Sequence, residues 1–270
     1  MDHKQLSEAL SSTPVTAFRA YESIRSTNDE ALAWADEGAE DFTLVISDEQ
    51  TKGRGRFNRR WVTQPGSSLA FSLILKPSAS ENEHLNLFAP LCGLAVHDAI
   101  KTLFSIEPQI KWPNDVLINR QKCCGILVEA VWTDGQPNAV VCGIGINISS
   151  ASVPPSDGQL FSAACLEDFV LQPIDRFTVL QQVLVNIHKW RAELASPRFF
   201  DHWTKHLAFI NEQVMIVQSE KQSIIGIEKG IDAHGNLVLL LENNEEKAFE
   251  VGDVHLRPMN ASSESGGKNA

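Results

Sequence analysis

The run "QIKWPNDVLIN" (109–119) opens the part of the chain that decides the fold. Two similar runs follow it, "KCCGILVEAVW" (122–132) and "NAVVCGIGINI" (138–148). All three are strand-like, and the turn-like stretches "NRQK" and "TDGQP" separate them, which predicts antiparallel strands joined by hairpins. In the last run Gly143 and Gly145 are two positions apart and therefore lie on the same face of the strand. Another backbone or a ligand is expected to approach that face closely.

The sequence on either side of these strands adds further elements. Apolar residues recur at helical spacing from His84 to Phe104, and a second long helix begins at Asp175. Ser26 or Thr27 can cap an earlier helix. With the strands, these helices predict a mixed α+β domain.

The chain divides into four predicted segments. An N-terminal extension covers 1–20 and has room for one short helix, and the main domain covers 21–211. Short β runs after Gln213 predict a small appended barrel over 212–259. Residues 260–270 have the composition of a disordered tail.

Composition limits the classes of function. The formal net charge is −11, which disfavours general binding to nucleic acid or to an anionic membrane. We find no signal peptide and no apolar run approaching about 18 residues, so we expect a soluble, cytoplasmic protein. The five cysteines show no CxxC pair, which indicates reduced and mostly buried thiols.

Positive charge concentrates in "TKGRGRFNRRW" (51–61), where five cations fall within nine residues. Gly53 and Gly55 allow close approach of the backbone to a ligand, and the arginines offer forked donors to phosphate or carboxylate. The segment is not a P-loop, because GxxxxGK[ST] is absent. An exposed basic hairpin, a nucleic-acid patch and a phosphate site for a small nucleotide all remain open, and charge favours the last.

Two other motifs carry charged groups. In "KWPND" (111–115), Asp115 could hold Mg²⁺, or the motif could be an ordinary hairpin turn. Lys122 precedes "GILVE" (125–129) and could pair with a carboxylate or phosphate, or could be an exposed turn lysine.

Taken as an ordered set, these motifs resemble the bacterial biotin–protein ligases, also called biotin–[acetyl-CoA-carboxylase] ligases. The set is "STN" (26–28), Gln50, "GRGR" (53–56), Trp61, "KWPND", "KxxGILVE" (122–129) and "GxGIN" (143–147). The likeness runs from about residue 24 to about residue 258. It implies a catalytic domain related to class II aminoacyl-tRNA synthetases, followed by a small SH3-like barrel.

The resemblance also implies a reaction. Members of the family activate biotin with MgATP to biotinyl-5′-AMP and pyrophosphate. They then transfer biotin to one lysine of a biotin carboxyl carrier protein, such as that of acetyl-CoA carboxylase. Biotin, ATP and Mg²⁺ are thus the expected ligands, and family members occur as monomers and as homodimers.

The resemblance assigns roles to residues of this chain. The implied biotin-binding residues are Ser26, Thr27, Asn28, Gln50, Arg54, Gly55, Arg56, Lys122 and Gly125. The implied ATP- and adenylate-binding residues are Arg54, Arg56, Trp61, Lys111, Asn114, Asn147 and Arg257. The implied catalytic residues are Arg56, Lys111, Asp115 and Lys122, with Asp115 the expected magnesium ligand.

The sequence departs from the family in two places. Phe57 and Asn58 stand where many members have a basic residue and a glycine. Only about 25 residues precede "STN", too few for the winged helix-turn-helix domain of repressor-type members, so we expect a ligase that does not bind DNA. The alternatives are a lipoate- or octanoate-type protein transferase of the same fold and a non-catalytic biotin-sensing regulator.

Overall fold

The computed structural model describes residues 1–153, 162–219, 222–250 and 255–258. A seven-stranded mixed sheet organises the larger part in the order β1-β2-β3-β7-β6-β5-β4. Its strands are β1 (Phe18–Ile24), β2 (Thr43–Gln50), β3 (Ser68–Leu75), β4 (Gln109–Lys111), β5 (Asp115–Ile118), β6 (Gln121–Thr133) and β7 (Gln136–Asn147). Only the β1–β2 pair of this sheet is parallel.

Five helices accompany the sheet within the described residues. They are α1 (His3–Leu10), α2 (Thr27–Asp36), α3 (Phe88–Phe104), α4 (Arg176–Arg191) and α5 (Pro197–Lys205). Helices α3 and α4 pack together and contribute to the main core, and α2 covers the opposite face of the sheet. The N-terminal extension, which has room for one short helix, contains α1, and α1 packs against α4.

Alternation along β7 decides where open space is left on the sheet. Cys142, Ile144 and Ile146 are buried in the main core. Val141 belongs to the smaller core beneath α2, and because successive side chains point to opposite faces, Gly143 and Gly145 lie on that same side. The face of β7 that is turned towards α2 therefore carries no side chains at Gly143 and Gly145. We call this surface the glycine floor.

The predicted hairpins are confirmed, with one change. The run 109–119 is not one strand, because β4 and β5 pair antiparallel across a turn at 112–114. Helix α3 begins at Phe88 rather than near His84, and 3₁₀ turns occupy Glu81–Leu87. Strand β1 was not predicted, because as an edge strand it is mostly half-exposed and its sequence "FRAYESI" carries little apolar signal.

A second, antiparallel sheet follows, in the order β11-β10-β9-β8-β12. Its strands are β8 (Gln213–Ser219), β9 (Gln222–Ile231), β10 (Leu237–Leu240), β11 (Glu246–Phe249) and β12 (His255–Pro258). The β runs predicted after Gln213 are thus confirmed as strands. The indole nitrogen of Trp112 donates to the Gly235 carbonyl at 3.1 Å and ties the sheet to the β4–β5 turn. The predicted tail lies outside the described residues.

One apolar segment corrects the sequence-based expectation. Glu81–Phe104 is long and apolar enough to cross a membrane by length and composition. Of its most apolar window, 67% is buried inside the protein. The segment contains α3, the central helix of the main core.

Candidate active site

A cavity of about 410 Å³ opens on the glycine floor. It is bounded by the start of α2, by the positively charged segment 51–61, here called the basic loop, and by the β4–β5 turn. Every site residue predicted from the sequence lines it, apart from Arg257. These residues are Ser26, Thr27, Asn28, Gln50, Arg54, Gly55, Arg56, Trp61, Lys111, Asn114, Asp115, Lys122, Gly125 and Asn147. Predicted site residues that are spread over positions 26 to 147 of the sequence thus converge on one site. The role of each residue remains a prediction.

The start of α2 presents a set of buried polar groups to the cavity. Ser26 caps the helix by accepting from the Asp29 amide. The amide and hydroxyl of Thr27 donate to the Gln50 side-chain carbonyl at 2.8 and 3.1 Å. The side-chain nitrogen of Asn28 donates to the Glu129 carboxylate at 2.7 Å. The Ser72 hydroxyl donates to the side-chain oxygen of Asn28 at 2.6 Å. These bonds fix the side chains, as binding of a ligand with amide-like polar groups requires.

Side chains of the protein itself fill the space above the glycines. A Cβ on Gly143 would lie 2.0 Å from Asn28 Oδ1, and one on Gly145 would lie 2.3 Å from the Trp61 ring. The prediction of close approach is confirmed, but the neighbours are side chains rather than another backbone or a ligand. The Trp61 indole also lies over Gly125 and forms an apolar wall next to the polar groups of α2.

Arg54 anchors the basic loop. Its guanidinium donates to Glu129 at 2.9 and 3.0 Å and to Asp29 at 2.7 Å. Bonding to Glu129 is the main reason that the pKa of Arg54 is raised. Neither carboxylate was among the predicted site residues. Glu129 ends "GILVE" four residues after Gly125, so alternation along the strand puts both on one face.

Arg56 lies at the mouth of the cavity. The loop folds back through a bond from the Gly55 amide to the Arg59 carbonyl at 2.8 Å. This turn places the Arg56 guanidinium 3.4 Å from the Asn114 side-chain oxygen and 4.9 Å from the centre of the Phe57 ring. Phe57 adopts φ = 56°, the left-handed region in which glycine is favoured. The departure from the family pattern therefore falls where the backbone is under strain.

Lys111, Asp115 and Lys122 form a charged triad, in which Asp115 is buried and the two lysines are partly exposed. Asp115 lies 3.3 Å from Lys111 Nζ and 2.5 Å from Lys122 Nζ. Burial would raise the pKa of Asp115, but the charges of Lys122 and then Lys111 outweigh it and hold that pKa at about 2. Burial also lowers the pKa of Lys111. The triad carries one net positive charge in a protein whose overall charge is strongly negative.

This arrangement does not fit Asp115 as a magnesium ligand. Each of its oxygens faces an ammonium group, so a dication there would meet two positive charges at short range. The turn at 112–114, just before Asp115, is also the hairpin turn that the sequence allowed as an alternative. Within the described residues Asp115 is the counter-ion of two lysines.

Two further predicted residues lie at the edges of the site. Asn147 is buried, and its amide donates to the Ala164 carbonyl at 3.0 Å. Arg257 lies on β12 opposite Met215, and its side chain is outside the described part of the structure. Its neighbour Leu256 lines the cavity, so β12 reaches the site from the second sheet.

Glu228 on β9 is a buried acid at the junction of the two sheets, and its side chain is fully inaccessible. Burial, and then the charge of Glu212, raise the pKa of Glu228 to about 8. Lys111 opposes that shift. Glu228 is therefore mostly protonated in the folded protein at neutral pH.

Glu228→Gln is expected to stabilise the protein increasingly as pH rises from about 4.5 to about 8. In that interval the folded protein keeps a proton that the unfolded chain releases, so the parent's free energy of unfolding falls with pH. The neutral amide removes this loss, giving a gain on the order of 2–4 kcal/mol at pH 8 and almost none at pH 4. Chemical denaturation across this range measures it, with the exposed Glu246→Gln on β11 as the control. Parallel curves for Glu228→Gln and the parent would contradict the assignment.

Comparison with known proteins gives the chain its relatives. Residues 20–147 match the Biotin/lipoate A/B protein ligase family, and residues 209–257 match the Biotin protein ligase C terminal domain. The Bifunctional ligase/repressor BirA of Bacillus subtilis is 34% identical over 239 residues, covering 86% of this chain and 72% of the relative. The Biotin–[acetyl-CoA-carboxylase] ligase of Mycobacterium tuberculosis is 31% identical over 241 residues, with 86% of each chain covered.

A solved structure supports the same relation. The biotin protein ligase of Aquifex aeolicus in complex with biotin and ATP superposes with a TM-score of 0.77 at 27% identity. The match covers 90% of this chain and 99% of that one, and so includes both sheets. With its sequence motifs gathered around one cavity and most of its length matched by these relatives, the chain belongs to the biotin protein ligase family.

Proposed function

We propose that the protein is a biotin–protein ligase. It condenses biotin with MgATP to biotinyl-5′-AMP and pyrophosphate, and then transfers biotin to a lysine of a biotin carboxyl carrier protein. The observation that carries the proposal is the convergence of the family's motifs on one cavity with polar groups at α2, an apolar indole beside them, and cations at the mouth. Relatives that carry this activity in their names support it.

The cavity suits the first chemical step. A biotin carboxylate oxygen bonds to the α-phosphorus of ATP, and the bond from that phosphorus to the pyrophosphate oxygen breaks. Two anions must meet, so Lys122, Lys111 and Arg56 lower their repulsion and stabilise the charge on the phosphoryl oxygens. Mg²⁺ enters as the counter-ion of ATP, since Asp115 is occupied by lysines.

The second step needs protection of the adenylate. The carrier's lysine amine attacks the acyl carbon, and AMP leaves with its phosphate oxygen. The acyl phosphate would react with water if exposed, so the basic loop, anchored by Arg54 and turned at Gly55, is suited to cover it. Because Leu256 on β12 lines the cavity, the proposal keeps its neighbour Arg257 as a nucleotide-binding residue.

Finer features of the family are part of this proposal. The mixed sheet with its helices is taken as the class II synthetase-like domain, and the second sheet as the SH3-like barrel. The enzyme is expected to act in the cytoplasm on the carrier of acetyl-CoA carboxylase.

The proposal is tested by mass spectrometry of a biotin carboxyl carrier domain incubated with the protein and MgATP. A mass increase of one biotin, with none when lipoate replaces biotin, is the expected result. Labelling by lipoate instead would identify the lipoate-type transferase. If the carrier is not labelled and no biotin-dependent pyrophosphate is released, the ligase proposal is refuted and a biotin-binding regulator remains.

Arg56→Gly is expected to form biotinyl-AMP but to release it into solution about 10-fold faster or more, because one charge-assisted contact with the phosphate is lost. Rapid filtration after a single turnover separates bound from free adenylate. Lys52→Gly removes a cation from an exposed position of the same loop and is expected to retain the adenylate. Equal retention by Arg56→Gly and the parent would show that Arg56 does not hold the intermediate.

A further inference from the structure

Three histidines lie together outside the active-site cavity. His97 is on α3, His202 is on α5, and His206 follows α5 directly. The His97 and His206 ring centres are 4.0 Å apart, and those of His202 and His206 are 4.7 Å apart. Taking one nitrogen from each ring, all three nitrogens lie within 4.8 Å of one another. We call these three residues the histidine cluster.

Asp98 binds two members of the histidine cluster. Its Oδ1 lies 2.9 Å from His97 Nδ1 and 3.0 Å from His202 Nε2, and Trp190 Nε1 donates to its other oxygen at 2.9 Å. An ionised carboxylate can only accept, so both imidazoles carry a proton on the nitrogen that faces it. In a neutral ring the second nitrogen then carries no proton, and its lone pair can bind a metal ion. Metal-binding histidines are commonly oriented by a carboxylate in this way.

His97 Nε2 is the second nitrogen of a ring with no exposed surface. It is buried and has no hydrogen-bond partner among the described residues. Buried polar atoms are nearly always bonded to something. A stack of rings that served only to fill the core would leave this atom unsatisfied, whereas a metal ion would satisfy it.

Two charged side chains outside the histidine cluster act on His206, namely Lys101 and Glu107. Lys101 opposes a cation near the cluster, but its ammonium is paired with Glu107 at 2.6 Å, and Glu107 favours one.

We propose that the histidine cluster binds one divalent transition-metal ion of the zinc class, through one nitrogen of each ring, with Asp98 as the orienting carboxylate. Zinc–nitrogen bonds of about 2.1 Å in a tetrahedral site place the nitrogens about 3.4 Å apart. The ring nitrogens now lie within 4.8 Å of one another, so metal binding requires the rings to turn and draw closer. Water or the Glu107 carboxylate completes the shell.

The position of the cluster gives the ion a structural role. The His206 carbonyl accepts from the Ile110 amide at 2.7 Å, and the Ala208 amide donates to the Ile110 carbonyl at 2.9 Å. Ile110 precedes Lys111 of the active site. A metal ion between α3 and α5 would therefore hold the segment that supports β4, apart from the chemistry of the ligase.

Cobalt binding to the tag-free, full-length protein tests the proposal, because Co²⁺ reports zinc-type sites by visible absorption. We expect one equivalent of Co²⁺ with tetrahedral d–d bands and no sulfur charge-transfer band, displaced by Zn²⁺. Zinc at about 100 times its dissociation constant should raise the melting temperature by roughly 5–10 °C. His206→Asn and, separately, the half-buried His202→Asn should each lose the d–d bands and the thermal shift.

His234→Asn is the matched control, since His234 is exposed in a turn of the second sheet. It should bind Co²⁺ like the parent. Circular dichroism and biotin binding confirm that each variant is folded. Parent protein without d–d bands, a thiolate band that points to the buried cysteines, or unchanged binding by folded His202→Asn and His206→Asn would each overturn the proposal.

Discussion

Lys122→Met is expected to lower kcat/KM for biotin-dependent pyrophosphate release about 10²- to 10³-fold. Lys122 Nζ is 2.5 Å from Asp115, and both side chains line the cavity where the two anionic substrates must meet. Methionine keeps most of the side-chain length and removes the charge. The loss should appear in pyrophosphate release itself, before any carrier is added.

The same substitution leaves Asp115 with Lys111 as its remaining lysine partner. Removing a partner of the buried Asp115 carboxylate costs stability, so the melting temperature must be measured alongside the activity. Lys101→Met is the matched control, because Lys101 also forms a short ion pair, with Glu107, but outside the cavity. It should leave pyrophosphate release near the parental value.

Lys122→Arg separates charge from position. It keeps a cation at the site, but its planar group cannot replace a compact ammonium in the same space. Activity between those of Lys122→Met and the parent is expected. A folded Lys122→Met protein with parental kcat/KM would show that the triad is structural only.

The sequence predicted the parts of the fold that depend on local pattern. Period-two alternation and turn residues were enough for β6 and β7, and apolar spacing was enough for α3. Strand β1 escaped because an edge strand buries little and so leaves little pattern. The break at Trp112–Asn114 was foreseen only as an alternative, because the alternation of a strand continues across it in the sequence.

The candidate site also contains residues that the sequence predicts and residues that it does not. Residue types tied to motifs were predictable, and the structure gathers them at one cavity. The partners Asp29 and Glu129, which hold Arg54, depend on which strand lies beside α2, and this is a property of the tertiary fold. The positive charge of the basic loop was therefore assigned to ligands or to an exposed hairpin, although part of it pairs with the protein itself.

Gly143→Ala is expected to weaken biotin binding about 10²-fold, or roughly 3 kcal/mol. The new methyl group would lie 2.0 Å from Asn28 Oδ1, far inside contact distance. Asn28 cannot yield cheaply, because it is bonded to Ser72 on one side and Glu129 on the other. Displacing it disturbs the start of α2 and the carboxylate that anchors Arg54. Isothermal titration calorimetry with biotin measures the change.

Gly93→Ala on α3 controls for the loss of a glycine. The nearest atom to its new methyl group is 3.7 Å away, an ordinary contact, and alanine favours a helix by up to about 1 kcal/mol. Binding should be unchanged and stability equal or higher. A folded Gly143→Ala protein that binds biotin as the parent does would contradict the steric argument.

A double-mutant cycle with Asn28→Ala locates the cause. If the methyl group acts by pushing Asn28, then Gly143→Ala costs much less in the Asn28→Ala background, because the atom it meets is gone. If it acts by contact with biotin, the cost is the same in both backgrounds. The coupling energy therefore decides whether this glycine makes room for the ligand or for the side chain that Ser72 and Glu129 hold in place.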